Sequence, residues 1–563
     1  MRTRFFVFVH IALSVATFTL LRANSVAAAD PARPKLLVLI VFDQMRGDYL
    51  ARWADLYPEG GFKRLMNEGL WFTDCHYPYA CTMTGPGHAS LLTGCSPDRH
   101  GIIMNDWFDR SIGKSVNCAA SDRYENVYTV SRSASNAKGG GTPERMLATG
   151  VGDWLKEQSG GKSKVVSVSL KDRSAVLPGG QHPDACYWFD SRTGTFVTST
   201  YYRDRCHDWV YAFNDRHPAD AWFGKLWNKS RSDIDYEKYS GPAEAKFATP
   251  GVSQRMGRAF PHALSMNKAK PDKQYYDEVT CSPFGNDLLL DFALTAFDEM
   301  KLAQGPQTDL LVISFSANDI IGHSFGPNSQ EVLDVTLNSD RCVVKLLQFL
   351  DAKVGTGQYL LAMSADHGIC PIPAADKRLK PAELQRQAEE FLDSKYGKVE
   401  NDKSKWIDGH AFPWVYLNYR KLVARKLDSK VVAEELVRWV KQQPWALNAY
   451  TRADLEAVTD QSDPIARSMK KAFHPDRSGD LGFVLKPYYL SLEYDTGTTH
   501  GSPHPYDTFV PLIFFGHGMP AKKCADSVTP QAVAAVFARA AGLTTAKTID
   551  APVPNPLTAG IGQ

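Results

Sequence analysis

The chain has 563 residues, 44% of them hydrophobic and 11% aromatic, enough for one large α/β domain with insertions or for two or three modules. Its 64 basic and 62 acidic side chains leave a formal net charge of +2. That balance argues against a polyanion-binding surface, and so against a nucleic-acid partner; any recognition of phosphate has to be local, in a site.

The N-terminus reads as an export signal over residues 1–29. Arg2 and Arg4 precede an apolar run from Phe5 to Leu21, and small residues ending Ala27-Ala28-Ala29 lead to Asp30. An uncleaved anchor is the alternative that the length of the run permits. Cleavage leaves no membrane span and puts the protein in the periplasm or outside the cell. Ten cysteines there are compatible with disulfides, and Cys186–Cys206 and Cys75–Cys81 are candidate local pairs. No CxxC pair exists, so a thiolate zinc site is not expected.

Continuous apolar runs predict strands buried on both faces: Lys35 to Val41, Val165 to Leu170, Leu310 to Phe315, Tyr359 to Met363 and Val510 to Phe515. Amphipathic patterns predict helices over about Leu337 to Leu350, Pro381 to Tyr396, Ser429 to Lys441 and Pro530 to Ala541. The alternation predicts an α/β fold, a mostly parallel central sheet with helices on both faces. Segments near 106–142, 181–282 and 371–490 break the rhythm and read as insertions that cap the sheet.

Open α/β sheets bind ligands at the carboxyl ends of their strands. Asp43, Lys171, Arg173, Asp319, His323, Asp366 and His367 follow apolar runs, and His500 precedes the last one. Three carboxylates and three imidazoles suit zinc better than calcium or magnesium, which favour oxygen alone. Asp319 and His323 are four apart, on one face of a helical turn. Taken singly each residue is an ordinary loop side chain, as His88 and His504 nearby are taken to be. Together the six are too many for one tetrahedral ion with an open position and suit two.

The segment Thr84-Gly-Pro-Gly-His88 leads into an apolar helical stretch. Thr84 is there either a helix cap or a nucleophile at the positive end of a helix dipole. Lys171 and Arg173 are either solvated cations or partners of an anion.

These motifs carry a resemblance. Thr84-Gly-Pro-Gly-His with Thr93-Gly94, Pro97, His100-Gly101 and Asn105 resembles the nucleophile segment of nucleotide pyrophosphatases and threonine-nucleophile alkaline phosphatases. Asp366-His367-Gly368 and Thr498-Thr499-His500-Gly501 resemble later metal motifs of the alkaline phosphatase superfamily. Ser282-Pro-Phe-Gly-Asn-Asp287 and Phe325-Gly-Pro-Asn-Ser329 extend the likeness, to the bacterial phosphate-irrepressible alkaline phosphatases, over nearly all of residues 30–563.

The resemblance implies an alkaline phosphatase-like catalytic domain with two zinc ions per chain. Asp43, Asp366, His367 and Thr84 would ligate one ion, and Asp319, His323 and His500 the other. Thr84 would be the nucleophile, Asn105 a donor to a phosphoryl oxygen, and Lys171 and Arg173 the pair that marks a phosphomonoesterase. Small phosphate monoesters are then the expected substrates and a monomer the expected state. A phosphodiesterase on the same scaffold is the first rival, and a non-catalytic secreted binding protein the second. Phe509 stands where relatives often have histidine, and no assigned ligand depends on it.

Overall fold

A computed structural model of the protein describes residues 33–129, 138–244, 246–249, 252, 256–265, 268–398, 403–545 and 549–558. The expected export signal lies outside them. Among the described residues no helix is long and apolar enough to cross a membrane.

The apolar runs form the centre of an eleven-stranded sheet. Strand Leu36–Phe42 lies between Asp309–Phe315 and Tyr359–Ser364, and Val165–Ser169 and Ala185–Asp190 follow outward from Asp309–Phe315. These five strands are parallel. Every residue of Leu36–Phe42 and Asp309–Phe315 is buried, which is why both read as unbroken apolar runs rather than alternating ones.

Register aligns the strand ends. Phe42 pairs with Phe315, Val41 with Ser364, and Ser314 with Ser169. The residues that follow these strands therefore leave the sheet along one edge. Strand Leu512–Gly516 is antiparallel to Tyr359–Ser364, with Leu512 opposite Ser364. Its beginning meets the carboxyl ends of its neighbours, so His500, which precedes it, arrives at the same edge.

Helices cover the sheet in two groups. Pro283–Glu299, Ala317–Phe325 and Gln330–Lys353 pack together, as do Thr84–Thr93, Asp172–Gly179 and Ala532–Ala540. Ser329 Oγ caps the longest, accepting from Val332 N at 3.1 Å.

Within the span 181–282, strands Ala185–Asp190 and Thr195–Ser199 belong to the main sheet. Within 106–142, strands Ala120–Val127 and Lys138–Gly141 extend its edge. Within 371–490, a separate four-stranded antiparallel sheet runs in the order Ile407–Ala411, Trp414–Leu417, Leu481–Leu485, Ala446–Thr451. Helices Pro381–Tyr396 and Ser429–Lys441 pack with it through Leu392, Val432 and Leu436, around a core of its own.

The expected disulfides are not formed. Cys75, Cys81, Cys186 and Cys206 are free thiols, and all ten cysteines are buried. Cys206 Sγ turns to the carbonyl of Val127 at 3.5 Å, and Cys186 faces Tyr202 instead. The thiols serve as small apolar core groups.

Candidate active site

Each candidate side chain is delivered by a strand end or by the turn after it. Asp43 follows Leu36–Phe42, and its N–H donates to Phe315 O at 3.0 Å. Asp319 and His323 lie one turn apart in helix Ala317–Phe325, as their spacing predicts, with Oδ1 and Nε2 3.1 Å apart. Asp366 and His367 follow Tyr359–Ser364. Thr84 is buried and opens helix Thr84–Thr93 after an extended Met83.

The three imidazoles are oriented alike. Nδ1 faces a backbone carbonyl in each: Thr498 O at 2.8 Å for His323, Gly368 O at 2.9 Å for His367, Thr82 O at 2.7 Å for His500. A carbonyl only accepts, so Nδ1 carries a proton and Nε2 is the nitrogen turned to the interior. There it meets carboxylates. His367 Nε2 is 3.5 Å from Asp43 Oδ1 and 3.3 Å from Asp366 Oδ2, and His500 Nε2 is 3.6 Å from Asp319 Oδ1. Each such contact needs a shared proton or a metal ion between its atoms, and a metal ion can serve a whole set at once.

Two sets of potential ligand atoms close up: Asp43, Asp366 and His367, and Asp319, His367 and His500. The first is the trio expected around one ion. In the second, His367 stands where the resemblance implies His323; the stacked rings of His367 and His500, with centroids 3.5 Å apart, place His367 between the sets. His323 reaches the same Asp319 oxygen. Thr84 Oγ1 lies 3.4 Å from His367 Nε2, so the hydroxyl is within the cluster.

Charge in the cluster is unbalanced. Burial first, then repulsion from Asp319 and Asp366, raises the Asp43 carboxyl well above its ordinary range, and Asp43 Oδ1 has no hydrogen-bond partner among the described residues. Burial opposes the charge of Asp319, yet His323 and Lys171 outweigh it and hold the carboxyl well below the usual range. Burial likewise opposes ionisation of Asp366, and His367 and His88 overcome it. Burial, then His367 and His323, keeps His500 neutral. The cluster thus gathers three carboxyl groups, three imidazoles and one ammonium, and its mixed nitrogen and oxygen donors fit zinc.

That ammonium is Lys171. Its Nζ sits 2.7 Å from Asp43 Oδ2 and 2.5 Å from Asp319 Oδ2, spanning the two sets; it is not a solvated surface cation. Arg173 is close by, and its Nε is buried with no hydrogen-bond partner among the described residues. Asn105 Oδ1 accepts from Gly85 N at 2.7 Å. That bond fixes the amide beside the turn that carries Thr84 and leaves its NH2 free to donate to an anion.

Two residues join the site that the sequence reading passed over. His88, taken as a bystander, is fully buried; its Nδ1 lies 2.9 Å from Thr84 O and 3.1 Å from Asp366 Oδ2, and its Nε2 2.7 Å from Ser314 Oγ. Its place one helical turn after Thr84 was the available signal. Gln44 donates from Nε2 to Asp319 Oδ1 at 2.6 Å and from its backbone to Asp366 Oδ1 at 3.0 Å. Nothing marked it but adjacency to Asp43. His504 does stand apart, with Nε2 on Leu485 O. Phe509 packs on His76, with ring centroids 5.0 Å apart.

Comparison with known proteins assigns the scaffold. The family model described as type I phosphodiesterase / nucleotide pyrophosphatase matches residues 37–507. The chain belongs to that family. It is 34% identical over 494 residues to alkaline phosphatase PafA of Elizabethkingia meningoseptica, covering 86% of this chain and 88% of that one. It is 34% identical over 498 residues to alkaline phosphatase PhoV of Synechococcus elongatus, covering 88% of each. The crystal structure of PafA superposes with a TM-score of 0.84 at 32% identity, over 93% of this chain and 99% of that one. The protein is thus an enzyme of the alkaline phosphatase kind, on the α/β fold expected from its apolar runs.

Proposed function

We propose that the chain is an exported, zinc-dependent phosphomonoesterase that hydrolyses small phosphate monoesters through a phosphothreonine at Thr84. The observation that carries this reading is the convergence of three carboxyl groups and three imidazole Nε2 atoms in one cluster that the Thr84 hydroxyl joins at His367. A crystallised PafA variant is described as substituted at a threonine, an asparagine, a lysine and an arginine. The threonine and asparagine there are as far apart in sequence as Thr84 and Asn105, and the lysine and arginine as far apart as Lys171 and Arg173.

Asp43, Asp366, His367 and Thr84 would hold one zinc, and Asp319, His323 and His500 the other, with His367 near enough to serve both. Bound there, the ions supply a lowered pKa for the nucleophilic hydroxyl and positive charge for the leaving oxygen. Thr84 Oγ attacks phosphorus in line, forming the Thr–O–P bond as the ester P–O bond breaks and the leaving oxygen takes up a proton. Asn105 donates to an equatorial oxygen, and Lys171 and Arg173 face the charge that spreads over those oxygens. Water then attacks the phosphothreonine, the P–O bond to Thr84 breaks, and inorganic phosphate leaves.

A monoester has one more anionic oxygen than a diester, and the two cations at the cluster, Lys171 and Arg173, favour that dianion. The test is turnover of an aryl monophosphate against its methyl aryl diester by the purified protein, with metal content measured alongside. Two zinc ions per chain and a monoester preference of about 100-fold or more are expected. Preference for the diester would place the chain with the phosphodiesterases. Bound metal without turnover would make it a binding protein.

A further inference from the structure

Gln44 touches both candidate metal sets and belongs to neither. It follows Asp43, is 3% exposed, and holds a left-handed backbone with φ of 71°, uncommon for a residue with a side chain. That turn aims its peptide N–H at Asp366 Oδ1, 3.0 Å away, and its side-chain amide at Asp319 Oδ1, 2.6 Å away. Outlying backbone geometry beside reactive groups is where functional positioning is to be sought. Room for the amide comes from Gly322, in the helical turn between Asp319 and His323: a methyl there would overlap Gln44 Oε1.

The chemistry of a glutamine suits this place. An amide donates to a carboxylate without adding negative charge to a cluster already crowded with it. Asp319 Oδ2 is engaged by Lys171, so its two oxygens are steadied from two sides. We propose that Gln44 is a positioning residue that sets the relative affinity of the two metal positions. Its backbone fixes Asp366 of one set and its side chain fixes Asp319 of the other. This rests on the two-zinc reading above.

The two arms are separable, which gives the proposal its test. Substitution at Gln44 removes the side-chain arm and leaves the peptide N–H in place. Zinc-free wild type and Gln44→Met are titrated with zinc against a chromophoric chelator, with circular dichroism to verify folding. Wild type should bind two ions. In Gln44→Met one affinity should fall by about 10- to 100-fold, the usual effect of losing an outer hydrogen bond to a ligand, while the other stays nearly constant. Gly322→Ala, a change that favours the helix, should show the same asymmetry by displacing the amide, and it decides the matter if Gln44→Met does not fold. Two affinities that are unchanged, or that fall together, overturn the role of Gln44 and leave the two-zinc reading standing. Fewer than two ions in wild type overturns both.

Discussion

Gly87 lies directly against the carbonyl oxygen of Asp366; a methyl on Gly87 would overlap it. The turn that presents Thr84, the proposed nucleophile, and the loop that presents Asp366, a candidate metal ligand, are thus in backbone contact, and His88 beside Gly87 reaches Asp366 Oδ2 as well. Gly87→Ala must push these two segments apart. Displacement of about 1 Å at a reacting centre costs about 100-fold in rate. We expect kcat to fall by at least that much in a protein with native circular dichroism, and full activity in the variant would show that the contact does not set the position of Thr84.

Thr84 should be the site of covalent chemistry. Thr84→Ser keeps the hydroxyl and should keep turnover within about tenfold, whereas Thr84→Ala should lose at least about 1,000-fold and form no phosphoenzyme. Rapid acid quench with labelled substrate, followed by peptide mapping, reads this directly. Label on any residue other than Thr84 would refute the assignment.

Lys171→Ala with Arg173→Ala should separate substrate classes. The role proposed for the pair is to meet the extra charge of a monoester, so monoester kcat/KM should drop by about 100-fold or more and diester turnover by less than tenfold. Lys171 also spans Asp43 and Asp319, so zinc content has to be measured in the same samples. Equal losses on both substrates with zinc retained would mean that the pair does not read the dianion.

What the sequence revealed and what it hid follow from the same physics. Strands buried on both faces announce themselves as apolar runs, so the sheet centre was legible. Strands at or next to a sheet edge, such as Lys522–Val528 and Ala120–Val127, expose many of their residues, and their polar sequences resemble loops. Ala185–Asp190 carries aromatic and acidic residues in a stretch that looked like an insertion. In the candidate site, charged residues and residues of metal-ligating type stood out by type. Gln44 acts through a peptide N–H and a neutral amide, and only its neighbours in space identify it. The cysteines misled because an exporting leader makes disulfides reasonable, whereas burial beside Val127 and Tyr202 makes Cys206 and Cys186 core groups.

His100, in the stretch that follows helix Thr84–Thr93, sets an acid limit on the fold. It is fully buried; Ile102 N donates to its Nδ1 at 3.1 Å, which leaves Nε2 to donate to Ser90 Oγ at 3.0 Å. The ring is therefore neutral. Burial, reinforced by the positive charge of Arg477, lowers its pKa from 6.5 to about 3. Between those values the unfolded chain binds a proton that the folded chain refuses, so stability rises with pH across that window and is lost as pH falls below about 6.5. His100→Gln retains a donor and an acceptor but cannot titrate. Its zinc-free form should be less stable than wild type at pH 7.5, yet lose less stability on going to pH 5.0, as read from urea denaturation midpoints and slopes. The other histidines titrate equally in both proteins, so the difference isolates His100. Parallel losses would mean that the buried ring is not what the acid attacks.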